Sequence, residues 1–134
     1  MSGFLIDTNV IIDVLKNDPI WSSWSTNNLT QCADSGPLVI NPVIYAELAV
    51  GFSSMSDLDA ALPSALWERR PLSWEASYLA GQAFREYRRR GGPRTSTLPD
   101  LYIGAQASVE NLVVVTRDPA RIRTCFPSVR LITP

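Results

Sequence analysis

Short apolar runs alternate along the chain with longer stretches in which apolar residues recur every three or four positions. The short runs are typical of buried strands, and the longer stretches are typical of helices with one buried face. Strands are predicted at residues 4–6, 38–40, 66–72, 112–115 and 129–132. The 66–72 run alternates poorly and 129–132 is expected at a sheet edge, so the prediction is a sheet of four to five strands.

Helix signals fill the segments between these runs. Asn41 followed by Pro42 is a typical helix start, and Gly91 ends the longest helical stretch. The predicted helices begin after Asp7, cover residues 20–33, follow Asn41, run from Ser56 to Pro63, cover 74–90, begin at Thr97 and follow Pro119. Strands that alternate with helices predict an α/β fold, here a three-layer α/β/α sandwich around a central, mostly parallel sheet.

Four acidic residues lie near the predicted strand ends. Asp7 comes directly after the first strand, Asp118 closes the fourth, and Glu47 lies about one turn into the helix after the second. Because the carboxyl ends of parallel strands share one edge of the sheet, these carboxylates are expected to converge there. Asp100, at the start of the helix before the fourth strand, is expected to join them.

Helix capping is an alternative explanation for three of these acids when each is considered alone. Asp7 precedes a helix, and Asp118 precedes a proline suited to a first helical position. Asp100 stands three residues after Thr97, which is the spacing of a capping box. Only the joint arrangement of the acids distinguishes a functional site from a set of caps.

Glu47 is predicted on the apolar side of its helix, where Ile44 and Gly51 lie one turn away. A carboxylate buried there must be paired, protonated or bound to a cation, because burying it bare is too costly. A salt bridge to an arginine and a bound cation are both open. Asp13, in contrast, lies on the polar side of its helix and is predicted to be solvated.

The 134-residue chain contains no histidine and a single lysine, Lys16, against eleven arginines. The lack of histidine excludes mechanisms in which imidazole is a general base or a zinc ligand. Any chemistry must therefore use carboxylates, hydroxyls, arginine and a bound ion. Two unit charges ~4 Å apart repel by ~4 kcal/mol at an effective dielectric constant of ~20, so converging acids indicate a cation. Oxygen ligands suit Mg²⁺ or Mn²⁺.

The composition is 46% hydrophobic and 19% charged, which is typical of a folded domain, predicted to cover residues 1–134. No apolar run approaches the ~20 residues of a membrane helix, and an ionisable residue at position 7 disfavours a signal peptide. A cytoplasmic protein without a membrane partner is predicted. Cys32 and Cys125 are expected to stay reduced, and the net charge of -1 confines any nucleic-acid contact to a local patch.

Four segments of the chain together resemble one known family. They are FLIDTNV at residues 4–10, YAEL at 45–48, LPDLYIGA at 98–105 and VVVTRD at 113–118. In content and order they are similar to the motifs of PIN-domain ribonucleases, and within that family to VapC-type toxins of bacterial toxin–antitoxin pairs. The resemblance spans essentially the whole chain. It assigns the four family acids to Asp7, Glu47, Asp100 and Asp118, and the polar residue beside the last acid to Thr116.

The resemblance implies a Mg²⁺-dependent endoribonuclease that is the toxin of a type II toxin–antitoxin pair. Water activated by the metal would hydrolyse RNA phosphodiester bonds, with Mn²⁺ as a substitute ion. The implied roles are metal ligation by Asp7 and Asp100, water activation by Glu47, a second ion or a metal-bound water at Asp118, and supporting hydrogen bonds from Asn9 and Thr116. The implied partners are RNA, a second copy in a homodimer, and a cognate antitoxin whose C-terminal segment covers the site.

The densest basic run lies just upstream of Asp100. It consists of Arg85, Arg88, Arg89, Arg90 and Arg94. Basic residues at a helix C-terminus complement the helix dipole and cover its last carbonyls. Arginine also binds phosphate with a bidentate fork, so the run is equally a candidate for RNA-phosphate contacts, assigned to Arg85, Arg88, Arg89 and Arg94.

Two other functions are compatible with parts of the sequence. A haloacid-dehalogenase-type phosphatase also has an aspartate after its first strand, but it needs a second one two residues later, where this chain has Asn9. The other is a catalytically inactive PIN-like module that binds RNA or protein. The presence of all four acids argues against an inactive module.

Overall fold

The computed structural model describes residues 3–93 and 98–134, and in this part of the chain five strands form one parallel sheet. The strands are β1 Phe4–Ile6, β2 Leu38–Ile40, β3 Trp67–Arg69, β4 Val113–Val115 and β5 Leu131–Ile132. The helices are α1 Thr8–Leu15, α2 Ser22–Ser35, α3 Pro42–Ala49, α4 Met55–Ala61, α5 Trp74–Arg89, α6 Pro99–Glu110 and α7 Ala120–Cys125. The predicted α/β class is therefore confirmed.

The strand order β3-β2-β1-β4-β5 puts β1 at the centre of the sheet. Phe4 pairs with Leu38 on one side and with Val113 on the other, and all three strands are fully buried. Strands covered on both faces read as continuous apolar runs, which is why these three were predictable. The predicted bounds of these central strands therefore agree with the structure to within one residue.

The two edge strands are shorter than predicted. β3 covers three residues of the predicted 66–72, and only Trp67 among them is buried. β5 covers two residues of the predicted 129–132, both partly buried. An edge strand pairs on one side only and has fewer buried positions, so its apolar pattern is weaker.

Helices cover both faces of the sheet. Parallel strands are joined by right-handed crossovers, which place α1–α4 on one face and α5–α7 on the other for this strand order. The helix contacts agree, since α1 packs on α2 and α3, while α6 packs on α5 and α7. This arrangement confirms the three-layer α/β/α sandwich.

The helix ends follow the predicted signals closely. The Asn41 side chain accepts a 2.9 Å hydrogen bond from the Ile44 N–H, and α5 ends beside Gly91, which adopts a φ of +89°. Thr97, predicted to start the next helix, lies outside the described residues, and α6 begins at Pro99 after Leu98. Within α6, a Cβ at Gly104 would lie 2.4 Å from the Phe126 ring, so a larger residue there would have to displace that ring.

Among the described helices, none combines the length and the apolar character needed to cross a bilayer.

Candidate active site

The candidate site lies where the chain direction across the sheet reverses. β2 lies on one side of β1 and β4 on the other, and ligands of open α/β sheets bind in the crevice beyond the carboxyl ends of such strands. Asp7 follows β1 and Thr116 follows β4. The Asp7 N–H donates to the Val115 carbonyl oxygen at 2.9 Å, and the Thr116 hydroxyl donates to Asp7 Oδ2 at 2.7 Å.

Asp7 caps α1 as predicted, but the cap does not account for its environment. The Thr8 N–H donates to Asp7 Oδ1 at 2.7 Å, and the side chain is almost fully buried. The pKa of Asp7 is raised from 3.8 to about 6, mainly by burial and in part by the charges of Asp100 and Glu47, while the hydrogen bonds from Thr116 and Thr8 oppose the rise. A rise of that size corresponds to ~3 kcal/mol against the ionised form at neutral pH.

Glu47 lies beside Asp7 but is not buried, which corrects the sequence prediction. Only Ile44 and Leu48 of α3 are buried, and Glu47 is exposed on the flank of the helix. Its Oε1 accepts a 2.7 Å hydrogen bond from the hydroxyl of Thr8, the residue after Asp7. No arginine of the described residues forms an ion pair with Glu47, so the salt-bridge alternative is not seen.

Asp100 lies in the first turn of α6 and is partly buried. Arg121 Nη1 lies 3.3 Å from Asp100 Oδ2, and the guanidinium also lies 6.0 Å from the centre of the Tyr87 ring. Burial raises the pKa of Asp100 above 3.8, and the charge of Asp118 adds to the rise against the hydrogen bond from Arg121. Asp100 therefore interacts electrostatically with both Asp7 and Asp118.

Asp118 is exposed and does not cap α7, so the capping explanation is wrong for this residue. The helix begins at Ala120 after Pro119, with no side-chain cap. The Asp118 N–H instead donates to Thr116 Oγ1 at 3.0 Å. Thr116 is fully buried, and its hydroxyl therefore connects the backbone at Asp118 with the carboxylate of Asp7.

Asn9 completes the polar groups around Asp7. Its Nδ2 lies 3.4 Å from Asp7 Oδ2, and its Oδ1 accepts a 3.3 Å hydrogen bond from the Arg117 N–H. Asn9 thereby connects α1 with the loop after β4. Asn9 and Thr116, the two polar residues assigned by the sequence resemblance, both contact the same carboxylate.

Asp13 is buried, so the prediction of a solvated side chain is wrong. It is 1% exposed, and Arg117 donates to both of its oxygens, at 2.7 Å from Nε and at 3.0 Å from Nη2. The Ser25 hydroxyl donates to Asp13 Oδ2 at 2.7 Å. The polar side of α1 is thus covered by α2 and by the loop after β4, which helical periodicity does not reveal.

The basic run at the end of α5 lies on the surface. Arg85, Arg88 and Arg89 are exposed, and Arg89 forms an ion pair with Glu86 at 3.1 Å. Arg94 lies outside the described residues. Tyr87 in the same turn contacts Arg121, which binds Asp100, so the end of α5 lies near the acidic site.

The donors at the site fit a hard divalent cation by their chemistry. All are oxygens, and the carboxylates of Asp7 and Asp100 have raised pKa values because neighbouring acids add to the cost of burial. A cation relieves that repulsion. Within residues 3–93 and 98–134, no three acidic or thiol side chains are grouped closely enough to hold one ion together. The Asp100 carboxylate is also paired with the Arg121 guanidinium. Ligation would therefore require these side chains to move.

Comparison with known proteins extends this description. A search of curated proteins gave no significant match. Among solved structures, VapBC2 from Rickettsia felis, bound to a DNA fragment from its promoter, is 21% identical with a TM-score of 0.74, covering 97% of each chain. DNA-bound VapBC from Salmonella typhimurium is 26% identical with a TM-score of 0.69, covering 99% of this chain and 98% of that one. A toxin–antitoxin complex from Klebsiella pneumoniae is 21% identical with a TM-score of 0.64, covering 98% of each.

The sequence also matches the profile of a protein family. The PIN domain profile aligns with residues 4–127, a range that begins in β1 and ends just after α7. It includes all four acids, together with Asn9 and Thr116. The chain belongs to the PIN domain family.

Proposed function

We propose that the protein is a Mg²⁺-dependent endoribonuclease and the toxin of a type II toxin–antitoxin pair. PIN domains are generally nucleases, and the family match covers the acidic site. The observation that carries the proposal is the buried carboxylate of Asp7, with Asp100 and Glu47 near enough for their charges to help raise its pKa to about 6. Caps alone would not bring mutually repelling carboxylates together.

In this proposal Asp7 and Asp100 hold the metal ion. Bound Mg²⁺ would supply charge neutralisation for the phosphate and a lower pKa for a coordinated water. Thr116 and the Thr8 N–H hold the Asp7 carboxylate in one orientation through 2.7 Å hydrogen bonds. To hold the ion, Asp100 would have to release Arg121, with which it is paired at 3.3 Å.

Glu47 and Asp118 are the two exposed acids of the site, and water or substrate can therefore reach them. Glu47, which accepts a 2.7 Å hydrogen bond from the Thr8 hydroxyl, would orient water or accept its proton. Asp118 would hold a second ion or another water molecule. Asn9 lies next to Asp7 and can donate a hydrogen bond to a carboxylate or to the scissile phosphate.

RNA must approach an acidic site on a chain whose net charge is -1. The exposed arginines at the end of α5, Arg85, Arg88 and Arg89, provide local positive charge beside that site, and Arg94 follows them in the sequence. Arginine binds phosphate oxygens well, and such contacts would weaken at higher salt.

The proposed partners follow from the structural neighbours, whose names describe VapBC and toxin–antitoxin complexes. A cognate antitoxin would cover the acidic site with its C-terminal segment, and a guanidinium inserted there would compete with the metal ion by pairing with a carboxylate, as Arg121 pairs with Asp100. A homodimer and a cytoplasmic location are also part of the proposal.

The test is incubation of metal-depleted protein with mixed RNAs, with and without Mg²⁺ or Mn²⁺. We expect cleavage only with the ion, and loss of cleavage in Asp7→Asn and Asp100→Asn. Asp34→Asn, which removes an exposed acid at the end of α2, is the matched control and should cleave normally. Binding of RNA without cleavage under all conditions would favour the inactive module. The family match argues against the phosphatase, and absence of phosphomonoester hydrolysis would exclude it.

A further inference from the structure

Arg117 lies between two residues of the candidate site, yet its side chain binds α1 rather than the acids. Its Nε and Nη2 donate to the two oxygens of Asp13 at 2.7 and 3.0 Å. Thr116 and Asp118, its neighbours in the chain, contribute the hydroxyl and the carboxylate described above. The Asp13–Arg117 ion pair therefore connects α1 to the middle of the loop that carries Thr116 and Asp118.

The buried Asp13 carboxylate accepts its hydrogen bonds from the side chains of Arg117 and Ser25. Its side chain is 2% exposed, against 26% for Arg117, and Ser25 provides the third donor at 2.7 Å. A bidentate arginine–carboxylate pair fixes orientation as well as distance, because two parallel N–H bonds must form together. The centre of the Trp21 ring lies 5.1 Å from the Arg117 guanidinium carbon and covers it.

A second contact joins the same loop to α1. The Arg117 N–H donates to Asn9 Oδ1 at 3.3 Å, and Asn9 lies one turn before Asp13 on α1, so both face the loop. The loop is therefore held to α1 by the side chain and by the backbone of one residue. In the loop held by these Arg117 contacts, the Thr116 hydroxyl donates a 2.7 Å hydrogen bond to Asp7 Oδ2.

We propose that the Asp13–Arg117 ion pair is a positioning element of the active site. It holds residues 116–118 against α1, so that Thr116 remains bonded to Asp7 and Asp118 remains at the metal site. The proposal rests on the proposed nuclease function. Arg117 and Asp13 contact neither metal nor RNA in this scheme and act only through Thr116 and Asp118.

The test compares Arg117→Lys and Arg117→Met with Leu58→Ala, a core truncation on α4 that lies away from the loop. Lysine keeps the charge opposite Asp13 but not the fork. We expect Arg117→Lys to recover most of the thermal stability lost in Arg117→Met. Its kcat and its Mg²⁺ affinity, measured by calorimetry, should nevertheless fall roughly 10- to 100-fold, with KM for RNA unchanged. Leu58→Ala should lose stability while the folded fraction keeps wild-type kcat.

The proposal is overturned if kcat of both Arg117 variants falls only in proportion to the folded fraction, as expected of Leu58→Ala. Amide hydrogen exchange of the metal-free proteins tests it without any activity. Exchange at residues 116–118 should be faster in Arg117→Lys than in wild type or Leu58→Ala, and equal exchange would also overturn it. If wild type neither binds Mg²⁺ nor cleaves RNA, the proposed function fails, while the exchange result still decides the positioning role. Should Arg117→Met not fold, Arg117→Lys carries both tests.

Discussion

Thr116 donates a 2.7 Å hydrogen bond to Asp7 across 109 positions of the sequence. The bond joins the carboxyl ends of β4 and β1, the two strands that flank the switch point of the sheet. The same hydroxyl accepts from the Asp118 N–H at 3.0 Å. Thr116 therefore connects the carboxylate of Asp7 with the backbone at Asp118.

Thr116→Val should reduce cleavage by roughly 10- to 100-fold, the usual effect of losing a hydrogen bond that orients a metal ligand. Valine keeps the shape of threonine but removes the donor to Asp7 and the acceptor for the Asp118 N–H. The cost in folding free energy should be about 1 kcal/mol, measured by urea unfolding. Thr116→Ser keeps the hydroxyl and is the control. Normal kcat in Thr116→Val would contradict the assigned role.

Asp7→Asn should stabilise the metal-free protein at neutral pH. The folded-state pKa of Asp7 is raised from 3.8 to about 6, so this group's contribution to stability is full below pH ~3.8 and is lost as the pH rises through ~6. At pH 7.5 the variant should be more stable by up to ~3 kcal/mol, and the difference should vanish toward pH 4. Denaturant unfolding at the two pH values measures it. A variant less stable than wild type at pH 7.5 would contradict the expectation that the ionised Asp7 carboxylate destabilises the metal-free fold.

Mg²⁺ should raise the melting temperature of the wild-type protein by relieving the same repulsion. An ion that binds only the folded state adds ~2.7 kcal/mol at a concentration ~100 times its Kd, which corresponds to several degrees for a domain of this size. The shift should be absent in Asp7→Asn and Asp100→Asn, and sodium chloride at matched ionic strength is the control. An equal shift in all three proteins would mean that Mg²⁺ binds elsewhere.

Arg121→Gln should tighten Mg²⁺ binding, because an ion held by Asp100 would have to displace Arg121, whose Nη1 lies 3.3 Å from the carboxylate. The Arg121 side chain is 42% exposed, and exposed ion pairs contribute at most ~1 kcal/mol, so the gain should be up to roughly fivefold in Kd. Arg123→Gln removes an exposed arginine from the same helix and controls for net charge. Weaker binding in Arg121→Gln alone would mean that Arg121 supports the site rather than competes for it.

The arrangement of side chains around Asp7 was predictable where local signals and topology coincide. Asp7 and Asp118 follow buried apolar runs, and the rule for parallel sheets places such residues at one edge. Glu47 and Asp100 were predicted to join them from their positions near strand ends, Glu47 also from its apolar helical neighbours, and the family motifs then assigned both to the same site. The central strands were predicted because all of their residues are buried and form continuous apolar runs. The ends of β3 were not predicted, because only Trp67 of that strand is buried and its apolar pattern is weak.

The errors concern side chains whose surroundings come from distant parts of the chain. Asp13 has polar helical neighbours, but its partner Arg117 lies 104 positions away, and periodicity within α1 cannot report it. Glu47 was expected inside because Ile44 lies one turn before it. The packing of α1 on α3 decides which flank of α3 is covered, and it leaves Glu47 exposed beside Thr8.

The most direct measurement of the central claim is an anomalous difference map from crystals of the active protein soaked in Mn²⁺. We expect a peak within ligand distance of Asp7 and Asp100, with Arg121 displaced from Asp100 and with Glu47 and Asp118 facing the ion directly or through water. No peak at that place, with Asp100 still bound to Arg121 at saturating Mn²⁺, would contradict the account.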